Sequence, residues 1–380
     1  MENSSCLRGE LGVGFTTKAR RHKEIAKFLV AGGPLRVHLW FRSHFWLRPG
    51  RTVIHLTRME HVTLLVLADP SEPELKMLRR LPESVTVVIG GSVEALERAA
   101  PAADVLFCWF GKRNLLKQIW KIAPHVRWVH SVAAGLDSVL FPELVESSVP
   151  VTNSRGAFSS SLGEFVIGAV LFFAKDFRRM IRNQAAGVWE PFDVDDVSRQ
   201  TLGIVGYGDI GRAIAQRARP FGMKVLALRR HPERSPDDPF VDEVLPLDRK
   251  LDLVRRSDYV AVAAPLTKET RGLIGPAEFA AMKSAAVVIN VGRGPVIDAG
   301  AMIQALSEKR IRGAALDVFD AEPLPAGHPF YSMENVLLSP HCADHTRGWL
   351  EQPMEIFLDN FERFRKGQPL RNVVDKKLGY

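Results

Sequence analysis

The chain has 380 residues, 46% hydrophobic and 25% charged, enough for two domains with separate cores. No run approaches the ~18 uncharged apolar residues that span a bilayer. Its three cysteines (Cys6, Cys108, Cys342) have neither metal-ligand spacing nor the density of a disulfide framework, so a reducing, cytoplasmic setting and no metal site are expected. The net charge of +8 sits in residues 1–58, with 11 Lys and Arg against 3 Asp and Glu. Residues 59–380 balance at 40 of each, so no basic face for nucleic acid is expected on the body.

Taken in chain order, residues 1–58 show no period, and Trp40, Phe45 and Trp46 are scattered among arginines. They are expected to lie outside the fold, as an extension or an overextended start before Met59. An Arg-rich, acid-poor make-up also fits an organellar presequence, against which Glu2 and Glu10 count, or a basic docking arm. From Val62 onward, β-rich runs alternate with helical material: Val62–Leu67, Val85–Ile89, Val105–Trp109 and Val126–His130. Trp109, Phe110 and Trp128 fall at strand ends, where aromatic residues more often fill a core than line a pocket. A proline-free stretch, Ser159–Arg182, reads as one long interdomain helix.

The segment GIVGYGDIGR (Gly203–Arg212) follows an apolar strand, Thr201–Val205, and opens a helix whose apolar face includes Ile210, Ala213 and Ile214. Gly206 suits a tight turn, Gly208 the approach of backbone to a pyrophosphate, and Gly211 close helix–strand packing. The helix N-terminus, with Asp209 and Ile210, would face the phosphates. A second strand, Met223–Arg230, ends in Arg229 and Arg230, followed by His231, where NAD-binding folds carry an acidic residue. A guanidinium there would pair with the extra phosphate of NADP. NADP is therefore the expected cofactor, with NAD the alternative.

The Pro-rich piece His231–Pro246 reads as a surface loop. Further β runs are Tyr259–Ala263, Ala286–Val291, Gly313–Val318 and Val336–Ser339, and a helix at Trp349–Arg365 closes the pattern. Alternating β and α units imply doubly wound parallel sheets. Three loops after these strands carry candidate chemistry. Arg293, between two glycines, can clamp a carboxylate but cannot donate a proton. His341, fixed behind a proline, can exchange a proton near neutrality. Glu322, bonded to that histidine, would orient it and favour its charged form.

In the order glycine motif, Arg293, Glu322, His341, residues 59–380 resemble the D-isomer-specific 2-hydroxyacid dehydrogenases. The resemblance includes PLTKETRGLIG (Pro265–Gly275), NVGRGPVID, LDVFDAEPLP and LSPH. It implies an α/β fold of two doubly wound parallel-sheet domains. A Rossmann cofactor domain (156–343) would be inserted into a discontinuous, flavodoxin-like substrate domain (59–155 and 344–380), and the protein would be a homodimer.

By the same resemblance, His341 is the general acid/base, Glu322 its partner and Arg293 the substrate anchor. Pro265, Thr270, Val291 and Asp317 join the cofactor site, Asp317 at the nicotinamide carboxamide. Ala134 and Gly135, in SVAAGLD (Ser131–Asp137), offer backbone N–H groups to the substrate carboxylate. The implied activity is reduction of a small 2-oxo acid of glyoxylate or hydroxypyruvate type. The alternative is a dinucleotide-sensing scaffold akin to the family's transcriptional corepressors. Two departures stand out: Arg229 replaces the acidic residue of NAD-preferring members, and Asp344 and His345 replace small residues after His341.

Overall fold

A computed structural model describes residues 61–235 and 237–379, so the expected extension at 1–58 lies outside the described residues. The first sheet consists of β1 (Val62–Leu67), β2 (Val85–Gly90), β3 (Val105–Cys108), β4 (Trp128–Ser131) and β5 (Val151–Asn153), in the order β2-β1-β3-β4-β5. The second holds β6 (Thr201–Val205), β7 (Lys224–Leu228), β8 (Glu243–Leu245), β9 (Tyr259–Val262), β10 (Val287–Asn290), β11 (Gly313–Leu316) and β12 (Val336–Leu338). Its order is β12-β11-β10-β9-β6-β7-β8. All neighbouring strands run parallel. Both faces of each sheet carry an apolar cluster, which is why central strands such as β1 are buried at every position rather than at alternate ones.

Each sheet reverses its winding once, between β1 and β3 and between β6 and β9. Open parallel sheets bind ligands outside the carboxyl ends of strands at such points, and the glycine segment follows β6. The chain then returns to the first sheet. There Met354, Phe357 and Phe361 of the helix Glu351–Arg365 pack against Val62, Leu64 and Trp128, with the Phe107 and Phe357 rings stacked 4.1 Å apart. Val373 bridges to Thr152, and the Lys376 ammonium donates to the carbonyls of Leu144 and Val149, both at 2.9 Å. Trp128 and Trp109 are core residues; Phe110 is partly exposed. Among the described residues no helix is long and apolar enough to cross a membrane.

Two local readings are corrected. The stretch Ser159–Arg182 is not one helix: α1 (Ser159–Ala174) ends at Lys175, and α2 (Phe177–Ala186) begins anew. Asp176 takes a left-handed conformation (φ 49°), which Asp tolerates better than most residues, and its carboxylate accepts from Arg179 N to cap the second helix. The loop His231–Pro246 contains β8, an edge strand of three residues too short to show a period. The same shortness hid β5.

His130 lies in β4 with no exposed surface, among Phe107, Trp128 and Phe357, its Nδ1 2.7 Å from the Thr152 hydroxyl. Burial drives its pKa down from 6.5 to about 3, so the folded protein holds it neutral. The unfolded chain takes up this proton first as pH falls. The stability it contributes is therefore complete above pH 6.5 and is lost on acidification toward 3. Unfolding free energy measured in urea should fall below pH 6.5 with a slope approaching roughly 1.4 kcal/mol per pH unit from this residue. His130→Asn should flatten that part of the profile; an equally steep slope in the variant would assign it to other groups.

Candidate active site

The glycine segment forms a turn that only glycine fits. Gly206 has φ 97°, and a Cβ there would lie 2.6 Å from Ala264 N. A Cβ on Gly211 would come 2.3 Å from Gly206 O, so the helix α3 (Asp209–Ala218) sits directly on its strand. Gly208 precedes that helix, with open space where a side chain would stand. Asp209 in the first turn pairs with Arg155 at 3.1 Å, and Ile210 is half-buried. Across the switch point, the Thr270 hydroxyl donates to Pro265 O (2.6 Å) and accepts from Thr267 N (2.7 Å), folding the loop after β9 onto itself. Val291, just past β10, is buried.

At the end of β7 the two arginines diverge. Arg229 donates to the Ser235 hydroxyl and lines a cavity of about 520 Å³, together with Tyr207, Gly208, Arg212, Arg234 and Ser235. Arg230 does not line it and pairs with Glu269 at 3.3 Å. Asp237 and Asp238 also reach this cavity, the latter held by Arg212 at 2.8 Å. Arg212 and Arg234 were not singled out from the sequence. Arg212 lies one turn into the helix behind the glycines, a placement that would have allowed it.

Three adjacent strands deliver the remaining groups. Arg293 follows β10, Asp317 and Glu322 follow β11, and His341 follows β12. Asn290 shapes the first loop, donating from Nδ2 to Arg293 O (3.1 Å) and accepting from Gly292 N (3.1 Å). The Arg293 guanidinium donates from Nη1 to Gly292 O (2.8 Å) and from Nε to Asp137 (3.1 Å), a residue of the loop after β4 in the other sheet. Its Nη2 lies against Gly135, where a Cβ would come within 1.7 Å. Ala134 is fixed beside it, its carbonyl accepting from Asn153 Nδ2 at 2.6 Å. The Asp137 partnership was not foreseen, because 156 residues separate the pair.

Glu322 has both oxygens engaged, Oε1 by Phe319 N (2.8 Å) and Oε2 by His341 Nδ1 (2.6 Å). That leaves Nε2 as the ring nitrogen able to pass a proton to a ligand. His341 itself has φ 53°, a left-handed conformation uncommon outside glycine. Asp317, 1% exposed, holds it there. Its Oδ1 accepts from the Ser339 hydroxyl (2.6 Å), Cys342 N (2.9 Å) and Ala343 N (3.0 Å). Burial raises the pKa of Asp344, on the same loop.

Residues 167–343 match the family model for the D-isomer specific 2-hydroxyacid dehydrogenase, NAD binding domain. The chain is 34% identical over 270 residues to a glyoxylate reductase of Thermococcus gammatolerans, covering 69% of this chain and 80% of that one. A glyoxylate reductase of Thermofilum pendens is 33% identical over 322 residues, covering 81% and 92%. Among solved structures, a D-isomer specific 2-hydroxyacid dehydrogenase from Xanthobacter autotrophicus Py2, in complex with NADPH and MES, superposes with a TM-score of 0.72 at 29% identity. That match covers 84% of this chain and 100% of the other. Two parallel-sheet domains and these similarities define an oxidoreductase that uses a nicotinamide dinucleotide. The chain belongs to the D-isomer specific 2-hydroxyacid dehydrogenase family.

A methyl group on Gly135 would occupy the volume of the Arg293 guanidinium. Gly135→Ala should therefore lower kcat/KM for a 2-oxo acid by roughly 10²-fold, the usual cost of an ångström-scale displacement. Its Tm should stay close to wild type, because the residue is only half-buried. Unchanged kinetics in that variant would mean that Arg293 does not act from this position.

Proposed function

We propose that the protein is an NADPH-dependent reductase of small 2-oxo acids, of glyoxylate or hydroxypyruvate type, with His341 as general acid. The observation that carries this reading is the set on the ends of β10, β11 and β12: a guanidinium seated on Gly135 beside a His–Glu pair. Arg293 would hold the substrate carboxylate against the backbone of Ala134 and Gly135 and polarise the neighbouring carbonyl. His341, oriented through Nδ1 by Glu322, would give its Nε2 proton to the carbonyl oxygen. When bound, the reduced nicotinamide would supply hydride to C2.

The residues fit such a cofactor. The open face of Gly208 and the N-terminus of α3, with Asp209 and Ile210, suit a diphosphate. Pro265, Thr270 and Val291 would flank the nicotinamide half, and Asp317 has a second oxygen to offer its carboxamide. Arg229, with Arg212 and Arg234 in the same cavity, would hold the adenosine phosphate, and Arg230 would support it from the rim through Glu269. The NADPH bound by the Xanthobacter relative is consistent with this. The cofactor domain would span 156–343 between the substrate-domain segments 59–155 and 344–380. The protein would work as a homodimer. Phe177, Met180 and Ile181 of α2 and the 97% exposed Trp189 offer an apolar surface that a second copy would cover.

Steady-state assays of glyoxylate, hydroxypyruvate and pyruvate with each cofactor test the reading. Turnover should require a 2-oxo acid and favour NADPH. Arg229→Asp removes a charge-assisted contact and adds a repulsive one, so kcat/KM for NADPH should fall at least about tenfold while that for NADH holds or rises. A wild-type preference for NADH, or an unchanged ratio in the variant, would refute the NADP assignment. No turnover of any 2-oxo acid would refute the reductase itself.

A further inference from the structure

Asp344 lies three residues past His341, on a loop that its own backbone holds tightly. His345 N donates to Cys342 O (3.0 Å), Thr346 N donates to Asp344 O (2.8 Å), and Ser161 Oγ of α1 donates to Ala343 O (2.6 Å). The Asp344 side chain is 18% exposed, and its Oδ1 is buried without a hydrogen-bond partner. The His345 ring approaches that oxygen only to 3.7 Å, beyond hydrogen-bond reach. A buried acceptor without a donor costs free energy, and such groups mark places where a ligand or water completes the set. The carboxyl belongs to the same short loop as His341, the loop that Asp317 anchors through Cys342 N and Ala343 N. The ring of the next residue, His345, stacks on Trp349 at 4.0 Å, and Trp349 meets Phe110 at 5.4 Å.

We propose that Asp344 is a specificity-determining residue: its carboxyl accepts a hydrogen bond from a hydroxyl on C3 of the substrate and selects 3-hydroxy-2-oxo acids over glyoxylate and 2-oxo acids with plain alkyl chains. The inference rests on the reductase assignment. Glyoxylate has only a hydrogen beyond its carbonyl carbon, and pyruvate a methyl group, so both leave the acceptor unsatisfied. A site built to bond a substrate hydroxyl rejects an analogue that lacks it far more strongly than an apolar pocket rejects a size change.

The test compares kcat/KM for hydroxypyruvate, pyruvate and glyoxylate, with NADPH, in the full-length wild type, Asp344→Ala and Asp344→Asn. Wild type should favour hydroxypyruvate over pyruvate by about tenfold or more, and the alanine variant should bring that ratio near one. The asparagine variant, nearly the same size, should retain part of the preference through a neutral acceptor. KM for NADPH and Tm should hold in both. If wild type does not discriminate, or if both variants slow all three substrates equally, the inference is overturned, the latter result pointing to a role in placing His341. Wild-type inactivity on all three would instead strike the reductase assignment on which it depends.

Discussion

One buried carboxylate, Asp317, governs the geometry of the site. It sits at the end of β11 with 1% of its surface exposed, and a carboxyl group taken out of water needs hydrogen-bond partners. Three come from the loop after β12: the Ser339 hydroxyl and the backbone N–H groups of Cys342 and Ala343. These bonds draw the loop across the neighbouring strand and sustain the left-handed conformation of His341. Hydrogen bonds to charged groups are worth about 1.5–3 kcal/mol each, comparable with the 1–3 kcal/mol that such a backbone costs. With the loop so placed, Nδ1 of His341 meets Glu322, itself anchored by Phe319 N of the strand-end segment that follows Asp317.

The second constraint joins the two sheets. Arg293 belongs to the loop after β10, yet its guanidinium rests on Gly135 and Asp137 after β4. The group expected to grip substrate is thus positioned by both halves of the molecule, and any change in their separation is felt at its Nη atoms. At the far end of the same sheet, the cavity around Arg229 is lined by three guanidiniums together with the carboxylates of Asp237 and Asp238. The strand order places Arg293, after β10, between the Glu322–His341 pair after β11 and β12 and the arginines of the cavity at the end of β7.

Much of this was legible in the sequence, for local reasons. β1, β6, β9, β10 and β11 are mostly apolar on both faces because parallel strands are covered on both sides. The loops that follow carry glycines or prolines that announce turns, so Gly206, Arg293, Glu322 and His341 could be placed on strand ends before any geometry was known. What escaped had no local signal. β5 and β8 are three residues long, the break at Asp176 depends on one capping carboxylate, and Asp137 meets Arg293 across 156 residues of chain. The bracing bonds of Asp317 are likewise tertiary: a resemblance can point to the residue, but only the fold shows which backbone N–H groups it satisfies. The unpaired oxygen of Asp344 belongs to the same category.

Proton donation by His341 is the step on which the whole account turns. The measurement that tests it most directly is the turnover of His341→Gln beside its binding of NADPH, followed by nucleotide fluorescence. The account predicts undiminished NADPH binding with kcat lowered by roughly 10² or more, the usual contribution of a general acid. Near-wild-type turnover in that variant would contradict it and move the proton to another group, His345 first.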